Sequence, residues 1–155
     1  MDAEQIVGHY GDMLFRICMI SLANRQDAED ALQETFLKVL KKNPDFTDRE
    51  HEKAWLIRVA VNVCKDIRRF NFRNAHADIE ELSEYLPDVA RDESCGLLEE
   101  VLKMKPKYRE MVILHYVEGY KLHEIAGICR ISVGAAKKRL QYARDSLRII
   151  SGERS

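Results

Sequence analysis

Residues 120–140 read YKLHEIAGICRISVGAAKKRL and have the spacing of two short helices joined by a tight turn. Two helices that cross closely need a small residue at the crossing, and Ala126 provides it, while Ile131 fills the turn. Ser132 is a good N-cap for the second helix. The apolar residues expected to meet in the shared core are Ile125, Ile128, Ala136 and Leu140. The pattern predicts a helix-turn-helix.

The second of these helices carries basic and polar side chains on the face away from that core. They are Lys137, Lys138, Arg139, Gln141 and Arg144. A helix of this size fits the major groove of DNA, where lysine and arginine neutralise phosphates and Gln141 and Lys138 can read bases. A basic face alone usually indicates only a solvated surface. Here it coincides with the crossing residue, the turn and the cap, and the sequence therefore favours DNA binding.

Arg130 stands where such a turn often has glycine. A left-handed backbone conformation at this position would cost an arginine about 1 kcal/mol. A penalty of that size is tolerable, so the arginine does not argue against the motif.

Helical periodicity continues through the rest of the chain, and no segment alternates as a strand does. The predicted helices span approximately residues 3–22, 27–42, 51–70, 97–104, 108–117, 122–128 and 132–150. Residues 71–95 are polar, acidic and only weakly periodic. We therefore predict an all-α fold of two small helical domains, residues 1–72 and 96–155, joined by an acidic linker of residues 73–95. The helix-turn-helix belongs to the second domain.

Local signals also give expectations within the first domain. Asp27 is expected to cap the second helix, where a carboxylate also favours the positive end of the helix dipole. Trp55 is expected to pack in the core. The apolar stripe of the second helix is predicted to comprise Ala28, Ala31, Leu32, Thr35, Phe36, Val39 and Leu40. That of the third helix is predicted to comprise Ala54, Trp55, Ile57, the stem of Arg58, Val61, Cys64 and Ile67.

Composition and charge exclude several classes of protein. No apolar run approaches the ~20 residues of a membrane span, and the first residues lack the layout of a signal peptide, so we expect a cytoplasmic protein with no membrane insertion. The four cysteines and five histidines form no cluster with metal-ligand spacing. No nucleophile, base and orienting group occur together, so we expect no catalytic residues, no metal site, no cofactor and no enzyme.

The net charge of −1 hides a segregation into basic residues 51–73 and acidic residues 74–100. Such alternation indicates that different faces meet different partners.

Three motifs in order resemble those of bacterial sigma factors, the promoter-specificity subunits of RNA polymerase. Residues 27–39, DAEDALQETFLKV, resemble the polymerase-binding helix, and residues 55–66, WLIRVAVNVCKD, resemble the helix that follows it and opens the promoter. Residues 104–144 look like the domain that reads the minus-35 element. The order and the short linker are similar to the extracytoplasmic-function (ECF) group of the sigma-70 family, which keeps only these two domains.

The resemblance implies a core RNA polymerase partner, bound through a coiled coil of its largest subunit. The acidic side chains of the second helix would meet basic groups there, with Leu37 as an apolar neighbour at the centre. The implied polymerase-binding residues are Asp27, Glu29, Asp30, Gln33, Glu34 and Leu37.

The resemblance also implies two sites for promoter DNA. At the minus-10 element, the loop of residues 44–50 with Asn62 would hold a flipped base of the melted non-template strand, and basic residues would face phosphates. The implied minus-10 residues are Phe46, Arg58, Asn62, Lys65, Arg68 and Arg69. At the double-stranded minus-35 element they are Lys121, Ser132, Ala135, Lys137, Lys138, Arg139, Gln141 and Arg144. An anti-sigma protein is a further expected partner.

Two other functions stay open at this point. An autonomous helix-turn-helix regulator acting without polymerase would need a dimer to read two half-sites, and it gives no reason for the motif at residues 27–39. A sigma-like adaptor that binds only protein would have no use for the basic side chains of the second helix of the helix-turn-helix.

Overall fold

The computed structural model describes residues 3–42, 44–70 and 100–151. Every regular element in these segments is helical, which confirms the predicted all-α class. The chain divides into two compact units, residues 1–76 and 77–155. The predicted acidic linker, residues 73–95, lies outside the described residues. Within the described segments, no helix is both long and apolar enough to span a bilayer.

The first unit is a bundle of three helices in which each helix packs against the other two. They are α1 (Ala3–Leu22), α2 (Arg25–Lys42) and α3 (Arg49–Phe70). Apolar side chains from all three fill the centre, including the fully buried Leu14 and Ile17 of α1 and Leu56 of α3. Glu52 is buried with them, and its carboxylate accepts a hydrogen bond of 2.7 Å from the Tyr10 hydroxyl.

The start of α2 differs from the prediction. Asn24, and not Asp27, caps the helix, because its Oδ1 accepts a hydrogen bond of 2.9 Å from the Asp27 backbone N–H. Ala23 makes the tight connection possible by adopting a left-handed conformation, with φ of 50°. Asp27 consequently lies inside the first turn of α2, where its side chain is only 4% exposed.

The start of α3 also lies earlier than predicted. Asp48 caps it with Oδ1, which accepts a hydrogen bond of 2.7 Å from the His51 backbone N–H. The helix therefore begins at Arg49 rather than near residue 51, and the loop before it is short.

Three predicted core assignments in the first unit are wrong. Leu40 is 56% exposed, because Thr35 and Val39 already occupy the inward face of α2. In α3 the buried face is formed by Leu56, Ala60 and Val63, together with Ile57, Val61 and Cys64, so Trp55 and Arg58 lie on the other side and are half-buried.

The second unit contains the helix-turn-helix. A helical segment of residues 100–103 precedes α4 (Pro106–Val112), which continues as a π-helical segment, Ile113–Val117. The helix-turn-helix follows as α5 (Leu122–Cys129) and α6 (Val133–Ser151). The core of this unit is formed by Val101, Met104, Met111, Ile113, Leu114, Ile125, Ala126, Ile128, Ala136, Leu140 and Ala143.

The turn between α5 and α6 has the geometry that its sequence predicts. Ala126 is buried at the contact between the two helices, and the Ile131 N–H donates to its carbonyl at 3.0 Å. This bond closes the end of α5 in the way that Schellman-type helix ends do. Ser132 caps α6, since its Oγ accepts a hydrogen bond of 3.0 Å from the Ala135 N–H. Arg130 has φ of 57° and ψ of 47°, which confirms the left-handed conformation expected for this position.

Replacing Arg130 with glycine is expected to stabilise the second unit by about 1 kcal/mol, because glycine adopts positive φ without a clash at Cβ. The arginine side chain is exposed, so little packing is lost. Thermal unfolding followed by circular dichroism measures the change. Lys137→Gly, at an exposed position inside α6, is the control and should destabilise by about 1 kcal/mol. A lower midpoint for Arg130→Gly than for the wild type would contradict the prediction.

Candidate protein and nucleic-acid interfaces

The outward face of α2 carries two exposed leucines among acidic and amide side chains. Leu37 is 58% exposed and Leu40 is 56% exposed. With about 3.6 residues per helical turn, both project from the side opposite the buried Ala31 and Thr35. The exposed polar residues around them are Gln26, Glu29, Asp30, Gln33 and Glu34. An apolar centre with a charged rim is the usual layout of a protein docking surface.

Two acidic side chains of this face, Glu29 and Asp30, are held by neighbours on the same helix. Glu29 Oε1 pairs with Arg25 Nε at 2.9 Å, and Asp30 Oδ1 accepts a hydrogen bond of 3.1 Å from Gln26. Such exposed pairs contribute little to stability, so the carboxylates can exchange these neighbours for a partner at small cost.

The structure brings five of the six predicted polymerase-binding residues to this face, and the sixth is buried. Asp27 does not reach the surface, because Asn24 takes the capping position and places Asp27 within the first turn. Leu40 is a candidate that the sequence reasoning missed. Its spacing of three residues from Leu37 was the available signal, and the core assignment of Leu40 obscured it.

A second candidate surface runs along α3, on the side away from the buried core. Residues at steps of three and four share this side, and they include Arg58, Asn62, Lys65 and Arg69 of the predicted minus-10 set. Lys65 and Arg69 are exposed, whereas Arg58 and Asn62 are half-buried. Arg69 Nη1 lies 4.0 Å from Asp66 Oδ1, a solvent-exposed contact that leaves the charge accessible.

Arg68 occupies a different position from the rest of the minus-10 set. Its Nη1 donates a hydrogen bond of 2.5 Å to Ser21 Oγ of α1. The guanidinium is thereby fixed at the flank of α3, toward α1. The structure does not bring it to the line formed by Asn62 and Lys65.

Phe46, in the loop before α3, belongs to an aromatic cluster. Its ring centroid lies 5.5 Å from that of His51 and 5.5 Å from that of Trp55, and both contacts are edge-on. The loop is therefore anchored to the first turns of α3 through ring contacts. This places a predicted minus-10 residue at the end of the α3 surface.

The third candidate surface is the exposed side of α6. Lys138 and Gln141 are exposed opposite the buried Ala136, Leu140 and Ala143. Lys137 lies on one flank of this side and Arg139, half-buried, on the other. The side chain of Gln141 donates a hydrogen bond of 2.9 Å to Asp145, so it is already oriented along the helix axis.

Three further predicted minus-35 residues, Lys121, Ser132 and Ala135, lie at the starts of the two helices. Lys121 is exposed just before α5, where its N–H donates to Glu124 Oε1 at 2.9 Å. Ser132 is exposed, with its hydroxyl engaged as the cap of α6, and Ala135 is half-buried one turn further. Backbone N–H groups at such a helix start favour phosphate.

Arg144 is positioned by a residue that the sequence reasoning missed. Its Nε donates a hydrogen bond of 2.6 Å to the Tyr116 hydroxyl, and its guanidinium lies 5.9 Å from the centre of the Tyr116 ring. Tyr116 projects from the π-helical segment and is 51% exposed. No sequence signal predicts this pair, because an inserted π turn shifts the register of the helix that carries Tyr116.

Tyr116→Phe tests the predicted minus-35 role of Arg144, because it removes one hydrogen bond that orients the guanidinium. On that prediction, we expect binding to minus-35 DNA to weaken about threefold. The measurement is the affinity of the polymerase-bound protein for a promoter selected from a random library. Tyr142→Phe, which removes an exposed hydroxyl elsewhere on α6, is the matched control. Equal affinities for Tyr116→Phe and Tyr142→Phe would show that the pair has no role in binding.

These three surfaces offer charged groups, hydrogen-bonding groups and apolar side chains. Across the described segments, histidine, cysteine and carboxylate side chains do not gather into a group that could hold a metal ion. The described residues form three distinct faces: an acidic and apolar face on α2, a basic face on α3 and a second basic face on α6.

Comparisons with known proteins match both units. Residues 6–74 match the family Sigma-70 region 2, and residues 96–147 match Sigma-70, region 4. The chain is 30% identical to the ECF RNA polymerase sigma factor SigW of Bacillus subtilis, over 92% of this chain and 85% of SigW. It is 31% identical to the RNA polymerase sigma factor CarQ of Myxococcus xanthus, over 81% of this chain and 75% of CarQ.

Two solved structures are similar across nearly the whole chain. CnrH, in complex with the cytosolic domain of CnrY, has a TM-score of 0.69 and 25% identity, and the match covers 99% of this chain and 89% of CnrH. The sigma factor RpoE of Bartonella quintana, in complex with the anti-sigma factor NepR, has a TM-score of 0.74 and 19% identity, with 98% of each chain covered. At that identity, the second similarity concerns the fold alone.

Proposed function

The chain belongs to the sigma-70 family of RNA polymerase sigma factors, in its ECF group, and we propose from this that three surfaces of the chain divide the work of promoter recognition. A sigma factor gives core RNA polymerase its promoter specificity and helps to open the promoter. In this division α2 docks on core polymerase, α3 with its preceding loop engages the minus-10 element, and α6 reads the minus-35 element.

The exposed Leu37 and Leu40 on α2 are the observation that carries the proposal. Two leucines more than half exposed on one face are unfavourable in water and are not needed by the core of the unit. The carboxylates of Glu29, Asp30 and Glu34 surround them and suit a basic partner surface. An autonomous DNA-binding regulator would gain nothing from this combination.

The α3 surface is proposed to follow the melted non-template strand. Lys65 and Arg69 would neutralise its phosphates, while Phe46 and the half-buried Asn62 would contact an unstacked base. Arg58 is proposed to lie between the residues that contact phosphates and the residues that contact the unstacked base. Arg68 is proposed to face phosphates from the flank of α3, where its hydrogen bond to Ser21 holds it.

The α6 surface is proposed to enter the major groove of the minus-35 element. Lys138 and Gln141 would face base edges, because they lie opposite the buried side of the helix. Lys121, Lys137, Arg139 and Arg144 would contact the phosphates on either side, and the N–H groups near Ser132 would add a neutral contact.

We further propose a protein inhibitor as a partner and a cytoplasmic location. CnrH was solved in complex with the cytosolic domain of CnrY, which is a precedent for a protein partner of a chain with this fold. Sigma factors are transcription initiation factors without enzymatic activity of their own, and we propose the same for this chain.

Co-elution with bacterial core RNA polymerase on size-exclusion chromatography tests the assignment of α2. Asp30→Lys and Glu34→Lys are each expected to weaken the complex about fivefold, because each replaces an attraction to a basic partner with a repulsion. The control is Asp12→Lys, which reverses an exposed carboxylate on α1.

The outcomes separate the two candidate functions. Co-elution that is weakened by the reversals on α2, and unchanged by Asp12→Lys, supports docking through this face. A folded protein that never co-elutes with polymerase would instead be an autonomous regulator, and its DNA site would have to be sought without polymerase.

A further inference from the structure

Three hydrogen bonds hold the backbone where the chain leaves the π-helical segment and enters α5. The Tyr120 N–H donates to the Leu114 carbonyl at 3.0 Å. The Tyr120 carbonyl lies 2.8 Å from Nδ1 of the half-buried His115. The Lys121 N–H donates to Glu124 Oε1 at 2.9 Å. The peptide group between Tyr120 and Lys121 therefore has both of its polar atoms bound by side chains.

The contact with Tyr120 gives the imidazole of His115 a fixed role. A carbonyl oxygen only accepts hydrogen bonds, so Nδ1 carries the hydrogen and donates it. The π turn makes this contact possible. The Glu118 N–H donates to the Ile113 carbonyl at 2.9 Å, five residues back, and the chain then reverses at Gly119, which has φ of 77°. His115 consequently faces the residue that precedes the N-cap of α5.

Lys121 occupies the N-cap position of α5, to which lysine is poorly suited. Serine, threonine, asparagine and aspartate are preferred there because their oxygens accept a hydrogen bond from a backbone N–H. A lysine ammonium has only donors, and Lys121 makes no side-chain capping bond. Its side chain is exposed. The lysine therefore does not stabilise the helix start, whereas its charge suits a DNA phosphate.

The backbone of Lys121 is held on both sides of its Cα. The preceding peptide is bound by His115 and Glu124, and the Lys121 carbonyl accepts a hydrogen bond of 3.0 Å from the Ile125 N–H. The backbone angles of Lys121, φ of −80° and ψ of 159°, are fixed by these bonds, and so is the direction of its Cα–Cβ bond. A side chain presented in one direction loses less conformational entropy when it binds a ligand.

We propose that His115 is a positioning residue of the minus-35 site, whose imidazole fixes the peptide that presents Lys121 to a DNA phosphate. The next residue, Tyr116, holds Arg144 through its hydroxyl. The π-helical segment thereby sets two phosphate contacts, one at each helix of the helix-turn-helix. This inference rests on the proposed function, because it needs Lys121 to lie at minus-35 DNA.

The test measures the affinity of the polymerase-bound protein for a promoter selected from a random library, over a range of salt concentrations. His115→Leu removes the donor and keeps an apolar side chain at a half-buried position. His115→Asn is the matched control, because its amide nitrogen is attached to Cγ as Nδ1 is and can donate to the same carbonyl. Lys121→Ala and the double variant with His115→Leu complete a double-mutant cycle. Thermal unfolding shows that each variant is folded.

We expect Lys121→Ala and His115→Leu each to weaken binding about threefold. Each should also reduce the magnitude of the logarithmic salt slope by about 0.9, the value for one phosphate contact. In the Lys121→Ala background, His115→Leu should cause no further loss, because it acts only through the lysine. His115→Asn should bind as the wild type does. A purely structural role for His115 would give a loss that does not depend on Lys121.

The same loss from His115→Leu with and without Lys121 would overturn the inference, as would wild-type binding by His115→Leu or equal weakening by His115→Asn. Unchanged affinity in Lys121→Ala would overturn it too, since His115 would then have no contact to position. Weakening by Lys138→Ala in that case would leave the proposed role of α6 intact. Failure of the polymerase-bound wild type to bind any promoter in the library would overturn the proposed function, and the inference with it.

Discussion

Leu37→Glu is expected to weaken the complex with core RNA polymerase by about 2 kcal/mol or more, roughly 30-fold in Kd, as loss of a central apolar contact does at other protein interfaces. The leucine is 58% exposed at the centre of the α2 face, so its replacement removes little packing within the unit. The new carboxylate would add a negative charge beside Asp30 and Glu34. This charge would lie at the centre of the interface, where the partner surface loses its water on binding.

Titration of labelled protein with core polymerase measures this effect, with helix content checked by circular dichroism. Leu40→Glu should weaken binding to a similar degree, because Leu40 is 56% exposed on the same face. Val7→Glu is the control, since Val7 is an exposed apolar residue of α1 at 46%. If Leu37→Glu binds as tightly as Val7→Glu, the α2 face is not the docking surface.

Arg109→Ala is expected to lower the free energy of unfolding of the second unit by about 3 kcal/mol, because it leaves buried carbonyl groups without their donor. Arg109 is only 6% exposed. Its Nη1 donates to the Met104 carbonyl at 2.6 Å and to the Leu102 carbonyl at 3.3 Å. The side chain thereby ties the end of the helical segment 100–103 to α4, which begins at Pro106.

Hydrogen exchange followed by mass spectrometry locates the effect of Arg109→Ala on the full chain. Protection should fall in peptides from residues 100–151 and stay at the wild-type level in α1, α2 and α3. Lys107→Ala, two residues earlier and exposed, should leave both regions unchanged. A loss of less than about 1 kcal/mol would mean that water replaces the arginine at those carbonyls.

The parts of the fold that could be predicted are those governed by local chemistry. The bounds of α1 follow from an apolar stripe that ends where the pattern breaks after Leu22. The helix-turn-helix could be predicted because Ala126, Ile131 and Ser132 each meet a local requirement of the crossing, the turn or the helix start. Of the candidate sites, the basic face of α6 followed from the same periodicity, whereas the residues on the outward face of α2 were implied by the family resemblance.

The parts that could not be predicted depend on competition between neighbours. Asn24 and Asp27 are both good caps, and only the left-handed turn at Ala23 decides in favour of Asn24. Leu40 fits an apolar stripe as well as Val39 does, and which of them is buried depends on where α1 and α3 lie. The contact of Tyr116 with Arg144 joins residues 28 positions apart through a π turn that leaves no signal in the sequence.

The separation of the two sides of α6 bears on how promoter choice can diverge among related proteins. Ala136, Leu140 and Ala143 hold the helix in its unit, whereas Lys138 and Gln141 make no contribution to that core. Substitutions at the outer positions therefore change little in the stability of the protein, and selection is free to alter them. With α6 in its proposed role at the minus-35 element, gene copies would acquire new target promoters by this route while the same scaffold continues to fold. Designed sigma factors with separate, non-interfering promoters would then be built on the same two positions.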